Sequence, residues 1–189
     1  MTAMDKRKLR RRLRDLRGTQ QDRDAQSAAI CRHIIGSEAY KNAKIIGGYA
    51  ALPHEADVKG VLIAAFAQGK TVVMPLCGPA PHMTLRRINS LDELQTGRYG
   101  IPEPPACAPV IDIQDVEMML VPLEGIDPAG YRLGKGGGYY DCLLSKSDAY
   151  TIGCALTWQL VMDDVPRDVW DMPLSACADM YGLKEFRTD

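Results

Sequence analysis

Hydrophobic residues recur along this chain in two periods, and the change from one to the other predicts the order of its elements. Leu9, Leu13 and Leu16 stand at i, i+4 and i+7 in an otherwise basic run, which predicts a helix with one narrow apolar stripe. Gly18 ends that segment. Thr19 is placed to cap a second helix carrying Ala25, Ala28, Ala29 and Ile34, up to Gly36. Beyond it, the apolar runs at 44–51, 71–76, 116–123 and 150–156 read as buried strands, and 175–178 as a short further one. Residues 83–88 alternate and read as an exposed strand. Helices are predicted over 58–68, with Val61, Leu62, Ala65 and Phe66 inward, and over 138–144. Residues 91–109, rich in Gly and Pro, read as a long irregular excursion of the kind that often carries function. Strands alternating with helices imply an α/β sheet, mostly parallel, with right-handed crossovers.

Composition narrows the class. A length of 189 residues suits a single domain, 1–189, with one substantial core. A 46% hydrophobic and 25% charged content excludes general disorder. Eight of the 23 basic residues but only two of the 24 acidic ones lie between Asp5 and Arg17, so the remainder carries 15 against 22, a net of −7. A basic arm on an acidic body points to an anionic partner: a nucleotide phosphate, a polyglutamate tail or nucleic acid. The first aromatic is Tyr40, so no stacking residues interleave the arm, and nucleic acid is not the expected partner. Six cysteines (Cys31, Cys77, Cys107, Cys142, Cys154, Cys177) are scattered without a C-x-x-C pair, which signals neither a zinc knuckle nor a redox couple. The N-terminal segment has no apolar run like that of a signal peptide, and no stretch is apolar enough to span a bilayer. A cytoplasmic protein with reduced thiols and no membrane partner is expected.

The strongest local feature is Gly125 to Leu144, which follows the most apolar strand and precedes a helix. Ligands of open α/β sheets bind at the carboxyl ends of strands. Gly134, Gly136, Gly137 and Gly138 lack Cβ atoms, so their N–H groups can approach a phosphate closely. The following helix would turn its N-terminus toward the same place. Arg132 and Lys135 can neutralise phosphate charge, and Asp141 could hold magnesium or simply cap the helix. The loop is neither a Walker A sequence nor a dinucleotide fingerprint, since Tyr139 stands where the third glycine would be.

Weaker candidates lie elsewhere. Glu55, after the first strand, could grip a polar ring or remain a solvated loop residue; His54 beside it reads as a loop histidine. Arg86 and Arg87 face opposite ways, one available to an anion. Tyr99 and Glu103 could line a pocket or sit on a surface loop. Asp168, Trp170 and Asp171 form an ordered acidic loop, with Asp171 a metal ligand or a turn cap. Trp158 and Gln159 follow a strand end and could reach the ligand.

Arg132 to Asp141, RLGKGGGYYD, resembles the signature of the 5-formyltetrahydrofolate cyclo-ligase family. The resemblance continues in order through KRKLR at Lys6–Arg10, the turn at Glu55, YGIPEP at Tyr99–Pro104 and DVWDMPL at Asp168–Leu174. It implies a three-layer α/β/α fold with an N-terminal basic helix. It implies ATP-dependent conversion of 5-formyltetrahydrofolate to 5,10-methenyltetrahydrofolate with Mg2+ as cofactor. By the same resemblance, Lys6, Arg7, Lys8, Leu9 and Arg10 would contact ATP, and Arg132, Leu133, Gly134, Lys135, Gly136, Gly137, Gly138, Tyr139 and Tyr140 would cradle its triphosphate. The folate would meet Arg10, Ala50, Glu55, Tyr99 and Lys135 to Tyr139. Asp141 and Asp171 would bind the metal, and Lys135 and Arg132 would act in catalysis. The partners implied are ATP and a reduced formyl-folate, in monomeric or polyglutamylated form, and the enzyme is expected as a monomer. Ala50 and Ala51 are smaller than the residues expected there, and Asp168 stands where Glu is commoner. Such departures leave open a paralogous α/β enzyme acting on another substrate. A binding module that uses the basic arm on a nucleotide or nucleic acid is the third reading.

Overall fold

A computed structural model describes residues 5–186. Helix α1 (Lys6–Asp15) starts where Asp5 accepts the N–H of Arg7 at 3.0 Å. Leu9 and Leu13 are buried against Leu133 and Val165, so the expected stripe docks the helix onto the body. Leu16 differs: it lies just past the helix end and is 54% exposed. Thr19 caps α2 (Gln20–Gly36) in a reciprocal capping box with Asp22. A short α3 (Glu38–Asn42), capped by Ser37, was not legible in the periodicity, being little more than one turn. Next come β1 (Ile45–Gly47), α4 (Lys59–Ala67), β2 (Thr71–Cys77) and β3 (Met83–Ile88). The irregular excursion holds a small ribbon, β4 (Gln95–Thr96) with β5 (Pro102–Glu103), and is followed by β6 (Val110–Ile111). Then come β7 (Met118–Val121), the ribbon β8 (Gly125–Ile126) and β9 (Arg132–Leu133), α5 (Tyr139–Leu144), β10 (Tyr150–Cys154), β11 (Ala176–Ala178) and β12 (Leu183–Glu185).

Eight strands form the main sheet in the order β12-β11-β10-β7-β1-β2-β3-β6. The five from β11 to β2 are parallel; at the margins β12 and β3 run antiparallel to them, and β6 pairs antiparallel with β3. The sheet is therefore mostly parallel, as the alternation predicts. The strand at 83–88 is less exposed than expected, because β6 pairs outside it and Leu85 and Ile88 point inward, each 2% exposed. The run at 44–51 contributes only three residues to the sheet, because the chain after Gly47 leaves it to build a wall of the cleft described below.

Period-two geometry divides the core between the two faces. Met118 and Leu120 of β7 pack with Ile30, Ile34, Val61 and Leu62 of α2 and α4. Met119 and Val121 pack on the opposite side with Leu143 and Leu144 of α5. Helices thus cover both faces, giving the three layers. Gly47 permits the tight β1–β7 contact: a Cβ there would lie 2.0 Å from the Met119 sulfur. The chain moves from β1 toward β2 on one side and from β7 toward β10 on the other. This switch point opens a crevice at the strand carboxyl ends, the usual ligand position in such sheets.

Candidate functional site

The crevice widens into a cleft of about 840 Å³, within the range of small-molecule sites. Tyr49 and Ala50 enter it just beyond β1, Pro122 and Leu123 beyond β7, and Pro75 and Cys77 from the end of β2. The Gly-rich loop between β9 and α5 forms one side. Gly136 (φ 101°) and Gly138 (φ 68°) hold left-handed conformations that a side chain would resist. Helix α5 has only six residues, so the loop's own N–H groups supply more of the anion-binding potential than its dipole does.

Helix α1 lies against this loop because its residues alternate in role. Leu9 and Leu13 face the body, while Lys6, Arg7 and Arg10, one turn apart, face the cleft. Arg10 Nε donates to Gly134 O at 2.8 Å. Lys6 Nζ pairs with Asp168 at 2.7 Å and Asp171 at 2.6 Å. Burial opposes the Lys6 charge, but the hydrogen bonds and charges of the two carboxylates outweigh it and raise its pKa. Two segments more than 160 positions apart are thereby tied across the cleft.

Glu55 is 2% exposed. Its Oε2 accepts the Leu52 N–H at 2.9 Å, closing a tight turn. Its Oε1 forms an ion pair with Lys135, without a well-aligned hydrogen bond. The cationic loop and the carboxylate turn therefore meet inside the cleft. Arg132, with its side chain 3% exposed, pairs with Asp141 at 3.0 Å and donates to Met172 O at 3.4 Å. Its charge is committed to orienting Asp141 at the cleft edge. Tyr140 is half-buried beneath it, its hydroxyl buried without a protein partner, and burial of that hydroxyl raises its pKa strongly. Opposite in character are Tyr99, Ile101, Pro102 and Met83, which supply apolar and aromatic surface. The Tyr99 and Tyr139 hydroxyls lie 3.5 Å apart, and Tyr139 donates to Gly78 O at 3.1 Å.

Most of the residues singled out from the sequence come together. Lys6, Arg7, Arg10, Ala50, Glu55, Tyr99, Arg132, Gly134 to Asp141 and Asp171 all border the cleft, with Glu103, Asp168 and Trp170. Lys8, Leu9 and Leu133 do not. Lys8 is exposed on the far side of α1, and Leu9 and Leu133 pack against each other beneath it. Trp158 lies over Gly18, and Gln159 donates to Leu123 O at 2.6 Å; both are structural rather than ligand-facing. Arg86 donates to Ala108 O at 2.9 Å, and Arg87 is exposed. His54 instead joins Arg14 and Arg17 around buried Glu124. Tyr49, Pro75, Cys77, Met83 and Pro122 were not anticipated, although their place at or just past strand ends, or beside one, is a signal the sequence does carry.

Two cleft carboxylates, Asp141 and Asp171, could hold a magnesium ion. Asp141 uses Oδ1 toward Arg132, and Asp171 uses Oδ2 toward Lys6 and the Asp168 N–H. The other oxygen of each carboxylate remains available to a cation. Among the described residues no three acidic, His or Cys side chains cluster as a metal cage. Magnesium typically takes one or two carboxylates with phosphate and water, so the two aspartates fit it.

A doubly covered, mostly parallel sheet, with a cleft at its switch point that sets a glycine-rich loop and basic side chains beside buried and edge carboxylates, is the architecture of an α/β enzyme. The model of the 5-formyltetrahydrofolate cyclo-ligase family matches residues 2–178, and the chain belongs to that family. It is 27% identical to 5-formyltetrahydrofolate cyclo-ligase of Haemophilus influenzae, over 92% of this chain and 97% of that one. It is 29% identical to the Escherichia coli protein of the same name, over 89% and 94%. The NMR structure of Aquifex aeolicus 5,10-methenyltetrahydrofolate synthetase superimposes with a TM-score of 0.84 at 26% identity, covering 98% of this chain and 95% of the other.

Proposed function

We propose that this enzyme converts 5-formyltetrahydrofolate to 5,10-methenyltetrahydrofolate, with ATP going to ADP and phosphate and with magnesium as cofactor. One observation carries the reading: the Lys135–Glu55 ion pair joins a phosphate-binding loop to a buried carboxylate within one cleft. A triphosphate beside Gly134–Gly138 and a polar ring beside Glu55 would place their reacting groups next to Lys135.

The formyl oxygen is a poor leaving group. Transfer of the γ-phosphoryl group to it breaks the bond to ADP and leaves a phosphorylated iminium. N10 then attacks the iminium carbon, the carbon–oxygen bond breaks, and phosphate departs with the former formyl oxygen as N10 loses its proton. Positioning and charge neutralisation are the protein's main tasks. Lys135 and the loop N–H groups would stabilise the transferring phosphoryl charge. Arg7 and Arg10 would hold the remaining phosphates, and Glu55 would accept N–H groups of the ring. Asp141 and Asp171 would hold magnesium, which neutralises phosphate charge when bound. Tyr139, whose hydroxyl lies 3.5 Å from that of Tyr99, and Tyr140, whose hydroxyl is buried without a protein partner, would offer hydroxyl donors to the cleft. The reading includes a monomer acting on monomeric or polyglutamylated folate in the cytoplasm. Six free cysteines suit such a compartment, and no helix among the described residues is long and apolar enough to cross a membrane.

The test is the ultraviolet spectrum of 5-formyltetrahydrofolate with protein and magnesium, with and without ATP. A methenyl absorbance that grows only with ATP is expected. No change, with ATP bound to folded protein, would point to another substrate.

A further inference from the structure

The rim of the cleft at residues 97–103 is held in a conformation its own sequence does not favour. Tyr99 has φ 61°, the only positive φ among non-glycine residues described, and its side chain is 70% exposed. A bulky residue resists that region of backbone space, so neighbouring structure must impose it. Glu103 is the neighbour placed to do so. It is 5% exposed, and its two carboxylate oxygens point to different segments. Oε1 accepts the N–H of Cys77 at the end of β2 at 3.3 Å, and Oε2 accepts the N–H of Arg98 at 3.1 Å. Gly97 makes room for it: a Cβ there would lie 2.2 Å from Oε2. The carboxylate thus staples the turn that carries Tyr99 to the central sheet.

We propose that Glu103 is a positioning residue that fixes the Tyr99 turn over the ring-binding side of the cleft, so that Tyr99 meets the folate preformed. The substrate in this statement rests on the function proposed above; the staple itself does not. Two oxygens serving two N–H donors explain why a carboxylate is needed. An amide would present its NH2 group to one of those donors and lose that bond.

Hydrogen exchange of the ligand-free protein tests the staple, and steady-state kinetics test its use. Glu103→Gln is expected to speed exchange at residues 97–101 while the amides of β1, of β7 and of β2 before Cys77 stay protected. It is also expected to raise KM for 5-formyltetrahydrofolate about tenfold, the size of one charge-assisted hydrogen bond, with KM for ATP unchanged and kcat falling less than KM rises. Tyr99→Ala should raise the same KM, and the double variant should be no worse than Tyr99→Ala alone. Gly97→Ala, which displaces the carboxylate without altering its charge, should reproduce the Glu103→Gln pattern if that variant folds poorly. Unchanged exchange at 97–101 in both variants, or independent additive losses in the double variant, would overturn the proposal. A wild-type protein that makes no methenyl product would overturn the function instead, and the exchange result would still decide the staple.

Discussion

The two sides of the cleft are built differently. The side proposed to face phosphate is charged and assembled from remote segments: Lys6 on α1, Asp168 and Asp171 near the end of the chain, and Arg132 with Asp141 around the Gly-rich loop. The side proposed to face the ring is largely aromatic and apolar, set by hydrogen bonds between side chains (Tyr49, Glu55, Glu103) and backbone in short turns close to β1 and β2. Partly exposed ion pairs add little stability, commonly below about 1 kcal/mol each. Their value here is orientation, because every cation they hold stays at the edge of the space a triphosphate would fill. The proposed ring side would rely on shape beside the single carboxylate of Glu55, and tight packing and a stapled turn supply that shape. The two meet only through Lys135 and Glu55 among the ion pairs described, which is where the proposed reaction would bring both substrates together.

The sharpest way to break this comparison is Lys135→Ala. It removes the loop's charge and leaves Glu55 buried without its cation, so kcat should fall by about 100- to 1,000-fold. Unchanged turnover would remove Lys135 from the mechanism. Leu9→Ala attacks the attachment of the charged side. Leu9 is 2% exposed, and such truncations cost about 2–5 kcal/mol where the site cannot collapse. Chemical denaturation should show a loss near the lower end, because the cluster beneath α1 is small, with a higher KM for ATP and little change in folate KM. Equal rises in both would mean that α1 serves the two sides alike. Asp141→Asn should raise the magnesium concentration needed for half-maximal rate about tenfold or more, since loss even of a supporting partner weakens metal sites that far. An unaltered magnesium titration would count against this ligand.

The smallest expected effect lies outside the cleft. Burial, then the nearby Arg17 charge, holds the His54 pKa below its ordinary value, against the opposing pull of Glu124 and Glu55. The unfolded chain therefore binds this proton more readily. The associated stability is fully present above pH 6.5 and is lost as pH falls through the lowered folded value. Denaturation midpoints of wild type and His54→Gln should converge on acidification; a constant difference would show that the histidine stays neutral or is equally titratable when unfolded.

Local pattern revealed much of this arrangement and long-range pairing little of it. Leu9 and Leu13 announced a docked helix, and Gly134–Gly138 announced a loop at the cleft, because both signals lie within a few consecutive residues. Leu16 misled, since the stripe continues in sequence one residue beyond the point where the helix stops. Strand ends were read too long at 44–51, because apolar residues that leave the sheet to line a cleft look like residues that remain in it. The β12 strand and the ribbons were missed for the opposite reason: two or three residues carry no period. Nor could spacing show that Arg132 is spent on Asp141, or that Lys8 faces away while Lys6 faces in. Those outcomes depend on which face of α1 the body takes, and on pairings across most of the chain. Glu103 was visible as a candidate, but its two bonds belong to segments 26 and 5 positions away and emerge only from the folded turn.

The most direct measurement follows the formyl oxygen. With 5-formyltetrahydrofolate carrying heavy oxygen in its formyl group, mass spectrometry of the released phosphate should find that oxygen in every phosphate formed with product. Phosphate without the label, at an undiminished yield of methenyl product, would contradict phosphorylation of the formyl oxygen and with it the role given to Lys135 and the Gly-rich loop.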